Sequence, residues 1–263
     1  TQAIMGGGLQ GALSLAASGQ MEVAAAAEAA ASAMNQFGLS GGNVGHIADL
    51  LAAGAAKAQG SVKDMGDALN QAGLIANQTG LSIEETVGGL TAFAKAGMTG
   101  SDGGTSFKTM LQRLVPTSVE AGKAMDALGV SAYDSQGRFV GLANFAGQLQ
   151  QATKKLSDEQ KATRLTTIFG ADAIRGANVL IAQGTEGMQQ YIEAVDQAGF
   201  ANKQAAELTD NLAGDIEKLG GSIDSMVLDS GNSLNSFLRG AVQGLTGLAD
   251  AAGAIPTPIL QTV

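Results

Sequence analysis

Few residues in this sequence could carry out acid–base, nucleophilic or metal chemistry. His46 is the only histidine and there is no cysteine, so neither a histidine-based metal cluster nor thiol chemistry can form within one chain. A serine hydrolase triad would have to use His46, and no Gly-x-Ser-x-Gly motif accompanies it. The sequence places His46 in the middle of a predicted helix among small residues. We therefore predict a solvated or capped histidine.

Two pairs of adjacent carboxylates are the other candidates for acid–base catalysis, for example in cell-wall hydrolysis. They are Glu84-Glu85 and Asp158-Glu159. Each pair falls in the first turn of a predicted helix, where the helix dipole favours negative charge. Neighbouring residues on a helix also point to different faces, unlike a catalytic acid and base. We predict that these carboxylates cap helices and that the chain is not an enzyme.

Two loops share features with ligand-binding motifs. Residues 97–106 are rich in glycine, but they lack the lysine of a phosphate-binding loop, follow no predicted strand and carry Asp102, which would repel phosphate. We predict a turn there, followed by a helix over Thr105–Val115. The segment Asp134–Gly137 lacks the later acidic ligands of a calcium loop. The sequence thus predicts no catalytic, cofactor-binding or metal-binding residues, and no cofactor.

The composition favours helices over every other class of structure. Of 263 residues, 38 are glycine and 47 are alanine, while proline is absent from 1–115 and from 117–255. The net charge of −9 argues against tight or sequence-specific nucleic acid binding, which needs clustered basic residues. The absence of cysteine excludes a disulfide scaffold and a zinc ribbon. No stretch of about 20 residues is free of polar and glycine interruptions, so a membrane-spanning helix is not expected.

Glycine residues separate the predicted helices, and serine residues begin several of them. Ser82 with Glu85 and Ser157 with Gln160 have the spacing of a capping box, and Gly170 interrupts the helix that Ser157 begins. Apolar residues on either side of a turn at 134–137 predict one small β-hairpin near 130–140. The remaining predicted helices are Met21–Phe37, Val44–Gln59, Ser61–Gln78, Val119–Leu128, Leu142–Leu156, Thr185–Ala198, Asn202–Leu219 and Ser222–Ala252.

We predict an all-α fold, a glycine-punctuated array of helices in four parts. These are an N-terminal helical lead-in (1–38), a pair of helical hairpins (39–116), a helical subdomain with the small hairpin (117–220) and a C-terminal helix (221–263). Two segments of about 40 residues, beginning at Leu39 and Leu81, predict a repeated hairpin; similar helical composition alone would give the same pattern. Because both ends are nearly uncharged, we expect the chain to continue within a longer protein.

A series of landmarks in fixed order is similar to the phage tail tape measure protein family, in the helical region shared by many minor tail proteins of long-tailed phages. The resemblance covers about residues 15–230. Phe107 departs from it, because the family usually has leucine there. The landmarks are Gly80–Ser82, Glu84–Thr86, Ala96–Ser101, Gly104–Ser106, Leu111–Leu114, Pro116, Leu128–Val130, Asp134–Gly137 and Ile168–Gly170.

The resemblance implies a structural protein of the tail lumen or tail tip, present in the host cytoplasm during assembly. Such proteins set tail length during assembly and are released at DNA ejection. The implied partners are further copies of the protein in the tail lumen, the tail tube protein, tail tip or baseplate proteins and tail assembly chaperones. The resemblance brings no catalytic residue with it.

An alternative function is a membrane-active helical module that aids genome delivery across the host envelope. The abundant glycine and alanine and the stretch Gly240–Ile255 favour contact with the host membrane at ejection, although Asp250 and Gly244 weaken that stretch as a span. A fully helical chain of this length would form a rod of roughly 400 Å. A straight rod does not need glycine breaks every 15 to 20 residues, so we expect the chain to fold back on itself.

Overall fold

A computed structural model of the protein describes residues 8–210. The predictions made for residues 1–7 and 211–263 lie outside the described residues. These include the C-terminal helix, the stretch Gly240–Ile255 and the second half of the predicted helix Asn202–Leu219. By its internal contacts the chain divides into two units, Thr1–Leu208 and Thr209–Val263. The first of these units contains nearly all of the described residues.

The described residues are helical almost throughout, as predicted. The single feature of β type among them is a bridge between Tyr133 and Phe139, which closes the small hairpin expected near 130–140. A short 3-10 helix, Gly41–Asn43, precedes α3. The α-helices are α1 (Leu9–Gly19), α2 (Val23–Phe37), α3 (Val44–Ala58), α4 (Val62–Thr79), α5 (Ile83–Lys95), α6 (Gly100–Gln112), α7 (Val119–Leu128), α8 (Leu142–Thr153), α9 (Asp158–Val195) and α10 (200–210).

Serine residues begin three helices as predicted, at Ser61, Ser82 and Ser157, and Ser118 begins a fourth. The side chain of Ser61 accepts the N–H of Asp64, and Ser118 does the same for Ala121 in α7. Both predicted capping boxes are present, Ser82 with Glu85 and Ser157 with Gln160. Each of these serines satisfies an N–H group that has no partner inside its helix. The start of four helices is therefore fixed by local sequence.

Helix α5 lies at the centre of the unit and packs against α3, α4, α6 and α9. Its residues from Thr86 to Phe93 are all buried. Phe93 meets Phe107 of α6 edge to face, with 5.1 Å between the ring centroids, and both rings are fully buried. Edge-to-face packing is a favoured arrangement of aromatic rings. Phe107 thus fills the middle of the core.

The lead-in helices also pack on this core. Helix α1 packs against α3, and α2 against α4. The contact side of α2 consists of Ala26, Ala30 and Ala33, all buried. Small side chains at this spacing bring two helices close together. The division of the chain at 38/39, 116/117 and 220/221 stays a prediction.

The start of α6 differs from the prediction. The helix begins at Gly100, with Thr99 before it, and ends at Gln112, whereas the sequence predicted Thr105–Val115. Gly103 and Gly104 therefore lie inside the helix and not in a turn. A Cβ atom on Gly104 would lie 2.8 Å from Ala68 Cα and 2.8 Å from Gln71 Cβ, and closer still to the Ala68 carbonyl oxygen. Glycine is present here because α4 and α6 touch backbone to backbone.

Helix α9 is broken twice, at Gly170 as predicted and at Gly184. Both glycines have backbone angles outside the helical region, with φ of 74° and 61° and ψ of 176° and −162°. The break at Gly184 interrupts the hydrogen-bond ladder, and Gln150 of α8 donates a hydrogen bond of 3.0 Å to the Ile181 carbonyl oxygen. The predicted helix Thr185–Ala198 is the last segment of α9 and ends at Val195.

Candidate functional site

The sequence predicted His46 in the middle of a helix, but the structure places it in the first turn of α3. Its Nε2 lies 2.7 Å from Glu84 Oε1, at the start of α5, and its Nδ1 lies 4.0 Å from Asp196 Oδ1, just after α9. The His46 side chain is 34% exposed. A single imidazole thus connects the ends of three helices. These contacts join the start of α3 to the start of α5 and to the end of α9, so the arrangement is an interhelical contact.

Glu84 is half-buried, and burial by itself raises its pKa. Hydrogen bonds from Ser82 and His46, together with the charge of His46, outweigh burial and leave the pKa of Glu84 below its ordinary value. A carboxyl group with a lowered pKa is ionised at neutral pH and cannot serve as a general acid. The predicted role of Glu84 as a first-turn carboxylate is compatible with this geometry.

Glu85 faces the other way from Glu84, as expected for adjacent helical residues. Its Oε2 accepts the N–H of Ser82 at 3.3 Å, and its Oε1 accepts the N–H of Leu142, the first residue of α8, at 3.2 Å. One carboxylate therefore satisfies N–H groups at the starts of two helices. The sequence predicts the first of these bonds, but not the second, because 57 residues separate the partners.

In the two segments with motif-like sequences, 97–106 and 134–137, the aspartate side chains bind other residues of the protein. Asp102 in the first turn of α6 forms an ion pair with Arg175 of α9, with 2.9 Å between Oδ2 and Nη2, and this pair raises the pKa of Arg175. Asp134 Oδ1 accepts the N–H groups of Gln136 and Arg138, each at 2.9 Å. The backbone N–H of Arg138 is the main cause of a lowered pKa at Asp134, and the Arg138 guanidinium adds to it. These carboxylates hold the chain in shape.

Asp49 is a buried carboxylate that no sequence motif singles out. It lies in α3, one turn after His46, and is 9% exposed. Its Oδ2 accepts the N–H of Gly199 at 2.7 Å and its Oδ1 accepts the N–H of Ala201 at 2.9 Å. Asp49 thus caps the start of α10 from another helix. No local signal could have indicated this, because the partners are about 150 residues apart.

A groove of about 850 Å³ runs along α8 and the last segment of α9. Most of its side chains are neutral amides and hydroxyls. A second hollow of about 410 Å³ shares Gln150 and Gln151 with it and adds the charged residues Lys154, Asp158 and Lys161. The amides can donate and accept hydrogen bonds but supply no acid, base or nucleophile. The polar lining of the groove of about 850 Å³ consists of Asn144, Gln148, Gln150, Gln151, Gln183, Thr185 and Glu186.

Metal sites and membrane spans are the other features that could carry a function. Within residues 8–210, no group of three or more histidine, aspartate or glutamate side chains could hold a metal ion. Of the described helices, α9 is long and apolar enough to cross a membrane by length and composition. Half of that apolar stretch is buried inside the protein, and the helix is broken at Gly170 and Gly184. A buried core helix has the same composition.

Comparison with known proteins gives two relatives from phages. The chain is 34% identical over 244 residues to the "Tape measure protein" of Pneumococcus phage Dp-1, and the match covers 92% of this chain and 21% of that protein. It is 32% identical over 219 residues to the "Probable tape measure protein" of Escherichia phage P2, a match that covers 81% of this chain and 26% of that protein. The chain thus spans about a fifth to a quarter of the length of these curated relatives. No solved structure matches it.

A family model described as "Phage-related minor tail protein" matches residues 1–170, well over half of the chain. The match includes α1 to α8 and the Ser157-capped start of α9. It confirms the family that the ordered landmarks indicated. The chain therefore belongs to the phage-related minor tail protein family.

Proposed function

We propose that this chain is a segment of a phage tail tape measure protein and acts as a structural element of the tail. The observation that carries the proposal is the match of nearly the whole chain to two relatives with that name. The packing of the described residues supports a structural role, because Glu85 and Asp49 bind N–H groups at helix starts and Asp102 pairs with Arg175. The location implied by this role is the tail lumen or tail tip of the virion, after assembly in the host cytoplasm.

Within such a protein, this segment is a folded body and not the ruler. Residues 8–210 would span about 300 Å as one straight helix. They instead fold into helices that share one core around α5. A length measure requires an extended chain, so the part of the protein that sets tail length during assembly lies outside this unit. The unit would hold the protein in place until it is released at DNA ejection.

The partners follow from the same role. Self-association in the tail lumen, and contacts with the tail tube protein, tail tip or baseplate proteins and tail assembly chaperones, are the interactions that a tail segment needs. The net charge of −9 favours protein partners over the nucleic acid backbone. We expect no sequence-specific binding to DNA.

Tail length in the phage that encodes this chain tests the proposal. In-frame deletions outside this unit should shorten tails in proportion to the residues removed. Gly104→Val, which forces α4 and α6 apart, should instead abolish normal tails without producing a shorter length class. Gly45→Ala is the matched control, because a Cβ atom there meets nothing within 4 Å. Electron microscopy gives both the number and the length of the tails. Normal tails with Gly104→Val would contradict the structural role of this unit.

The absence of enzymatic activity is part of the proposal. The matched families are structural, and both candidate carboxylate pairs lie in first helical turns as predicted. Zymography on peptidoglycan with the full 263-residue chain should give no clearing. Clearing that is lost in the Glu84→Gln or Glu159→Gln variant would overturn this part of the proposal.

The membrane-active alternative rests on α9 among the described residues. Its length and hydropathy allow a span, but Asp172 and Arg175 lie in the middle of the helix and Arg175 is bound to Asp102. Charged residues are costly in a bilayer, and leaving the core would also expose Phe169 and Leu180. Flotation of the full chain with phosphatidylglycerol-containing liposomes should leave the protein in the bottom fraction. Flotation of the intact protein would favour the alternative.

A further inference from the structure

The groove along α8 and the last segment of α9 contains polar side chains that bind nothing else in the described part of the chain. The side chains of Gln151, Gln183 and Thr185 line it, and none of them forms a hydrogen bond within residues 8–210. Gln151 and Thr185 are exposed, and Gln183 is half-buried. By contrast, Gln148 and Gln150 hydrogen-bond to other parts of the protein. The first three therefore present free donors and acceptors to an occupant of the groove.

Two lysines lie at one end of the groove. Lys154, directly after α8, and Lys161 of α9 line the adjoining hollow of about 410 Å³, together with Asp158. Neither lysine forms an ion pair with any residue that the structure describes. The segment 154–164 contains four basic and two acidic residues, in a chain whose net charge is −9. This end of the groove therefore carries positive charge on a protein that is acidic as a whole.

An acidic side chain lies further back along the groove. Glu186 lines it next to Thr185, whose hydroxyl group lies against Gly147 of α8. Among the described residues, Glu186 has no ion pair either. Lys154 comes seven residues after Gly147, which is about 10 Å at the rise of a helix. The groove thus carries charges of opposite sign about 10 Å apart, with free amide groups between them.

We propose that the groove binds an extended segment of another polypeptide, in which an acidic residue lies three positions from a basic one. The acidic side chain binds Lys154 and Lys161, and the basic side chain binds Glu186. An extended chain advances about 3.3 Å per residue, so three residues cover the distance. The groove volume of about 850 Å³ lies in the range of about 300–1,000 Å³ that is usual for ligand sites. This inference goes beyond the proposed tail function and does not depend on it.

The lining of the groove favours a polypeptide over a nucleic acid. An extended polypeptide offers a backbone donor and acceptor at each residue other than proline, and a side-chain amide can bind both. No aromatic side chain is among the described residues that line the two hollows, so nucleotide bases would have no ring on which to stack. Glu186 and Asp158 would also repel phosphate groups, whereas a polypeptide can carry charges of both signs.

NMR signals of the side-chain NH₂ groups in the full 263-residue chain test the site. The probes are two hexapeptides with blocked ends, Ser-Lys-Thr-Ser-Glu-Ser and its reverse, so that both chain directions are represented. One of them should shift the signals of Gln151 and Gln183. Those of Asn70 and Asn77, which contact Gln36 on the α2–α4 side of the protein, should not move. No shift with either peptide at millimolar concentration, or a shift of the groove signals by hexathymidylate alone, would overturn the proposal.

The contact between the lysines and the acidic residue is tested by changes on both sides. Glutamine in place of glutamate in the bound peptide should weaken binding about fivefold, as expected for a partly exposed ion pair. In the double variant Lys154→Gln with Lys161→Gln, the same peptide change should have no effect. Lys57→Gln, at an exposed lysine of α3 outside the groove, is the matched control and should keep the difference. A fivefold difference that survives in the double variant, or none in the unaltered chain, would contradict the assignment.

Discussion

The crossing of α4 with α6 and the pairing of α8 with α9 are two different kinds of helix contact in this molecule. At the first, Gly104 keeps a helical backbone and touches the Ala68 backbone, so the contact excludes water. At the second, Gly184 leaves the helical region, α9 breaks, and Gln150 satisfies a carbonyl oxygen at the edge of an amide-lined groove. Glycine thus allows two helix backbones to touch at the first contact, and it allows a helix to break beside a groove at the second.

The difference shows what a high glycine content does in a helical protein. Glycine inside a helix costs up to about 1 kcal/mol relative to alanine, so it is retained where two backbones must approach. Glycine at a positive φ permits a break that other residues resist. We expect the first contact to fail abruptly when any atom is added. The second should tolerate changes, because water can enter its groove and replace a lost hydrogen bond.

The largest effect should come from Gly104→Ala. The added methyl group meets backbone atoms of α4, which cannot move aside as a side chain can. We expect a loss of about 3 kcal/mol in the free energy of unfolding, measured by urea denaturation. The same substitution at Gly45 in α3, where the space is open, should stabilise the protein by up to about 1 kcal/mol. A neutral Gly104→Ala would mean that α4 and α6 are not in close contact.

The next effect should come from Gly184→Ala, at about 2 kcal/mol, from backbone strain and from contact with the side chain of Gln150. A Cβ atom there would lie 2.6 Å from Gln150 Cδ. Because that side chain can rotate away, the double variant Gly184→Ala with Gln150→Ala isolates the strain of the backbone. We expect thermal unfolding of the double variant to show most of the loss. Full recovery in the double variant would show that the contact, and not the backbone, is decisive.

A smaller effect is expected for Gln150→Ala alone. The Ile181 carbonyl loses its hydrogen bond, but the groove beside it admits water, so the loss should be about 1 kcal/mol or less. Gln148→Ala is a matched control in the same groove, since the Gln148 carbonyl group binds the Ser131 N–H and not α9. If Gln150→Ala lowered the free energy of unfolding as much as Gly104→Ala, the two helix contacts would not differ in their access to water.

The smallest expected effect is a dependence of stability on pH through Glu84. The contact between Gly104 and Ala68 contains no titratable group and should not depend on pH. Glu84 has a folded pKa below its ordinary value of 4.5, so its stabilisation is complete above that value and is lost as the pH falls through the folded pKa. Between about pH 6 and pH 3, the unaltered protein should lose about 0.5 kcal/mol more stability than Glu84→Gln. Urea denaturation at each pH measures the difference. Parallel curves for the two proteins would argue against a stabilising contact of Glu84 with His46.

Local sequence predicted the parts of this fold that local physics controls. The all-α class, the capping boxes at Ser82 and Ser157, the hairpin at 130–140 and the break at Gly170 are set by residues within a few positions. The predicted start of α6 was wrong because the glycines before Thr105 were interpreted as a turn. Gly104 instead lies inside the helix, where its close contact with α4 requires glycine. His46 and Asp49 meet their partners across 38 and about 150 residues, and no short pattern encodes such pairs.

The pairing of Asp49 with Gly199 and Ala201 also sets an order of events during synthesis. Asp49 leaves the ribosome about 150 residues before its two partners, so α3 emerges with a carboxylate destined for burial and no N–H groups to bind. Helices α1 to α6 can collapse around their apolar residues in the meantime, while that carboxylate keeps water beside it. A chain that ends before residue 199 lacks both of these N–H groups, so its Asp49 carboxylate stays hydrated. Burial of the Asp49 carboxylate therefore has to wait until residues 199–201 have been synthesised.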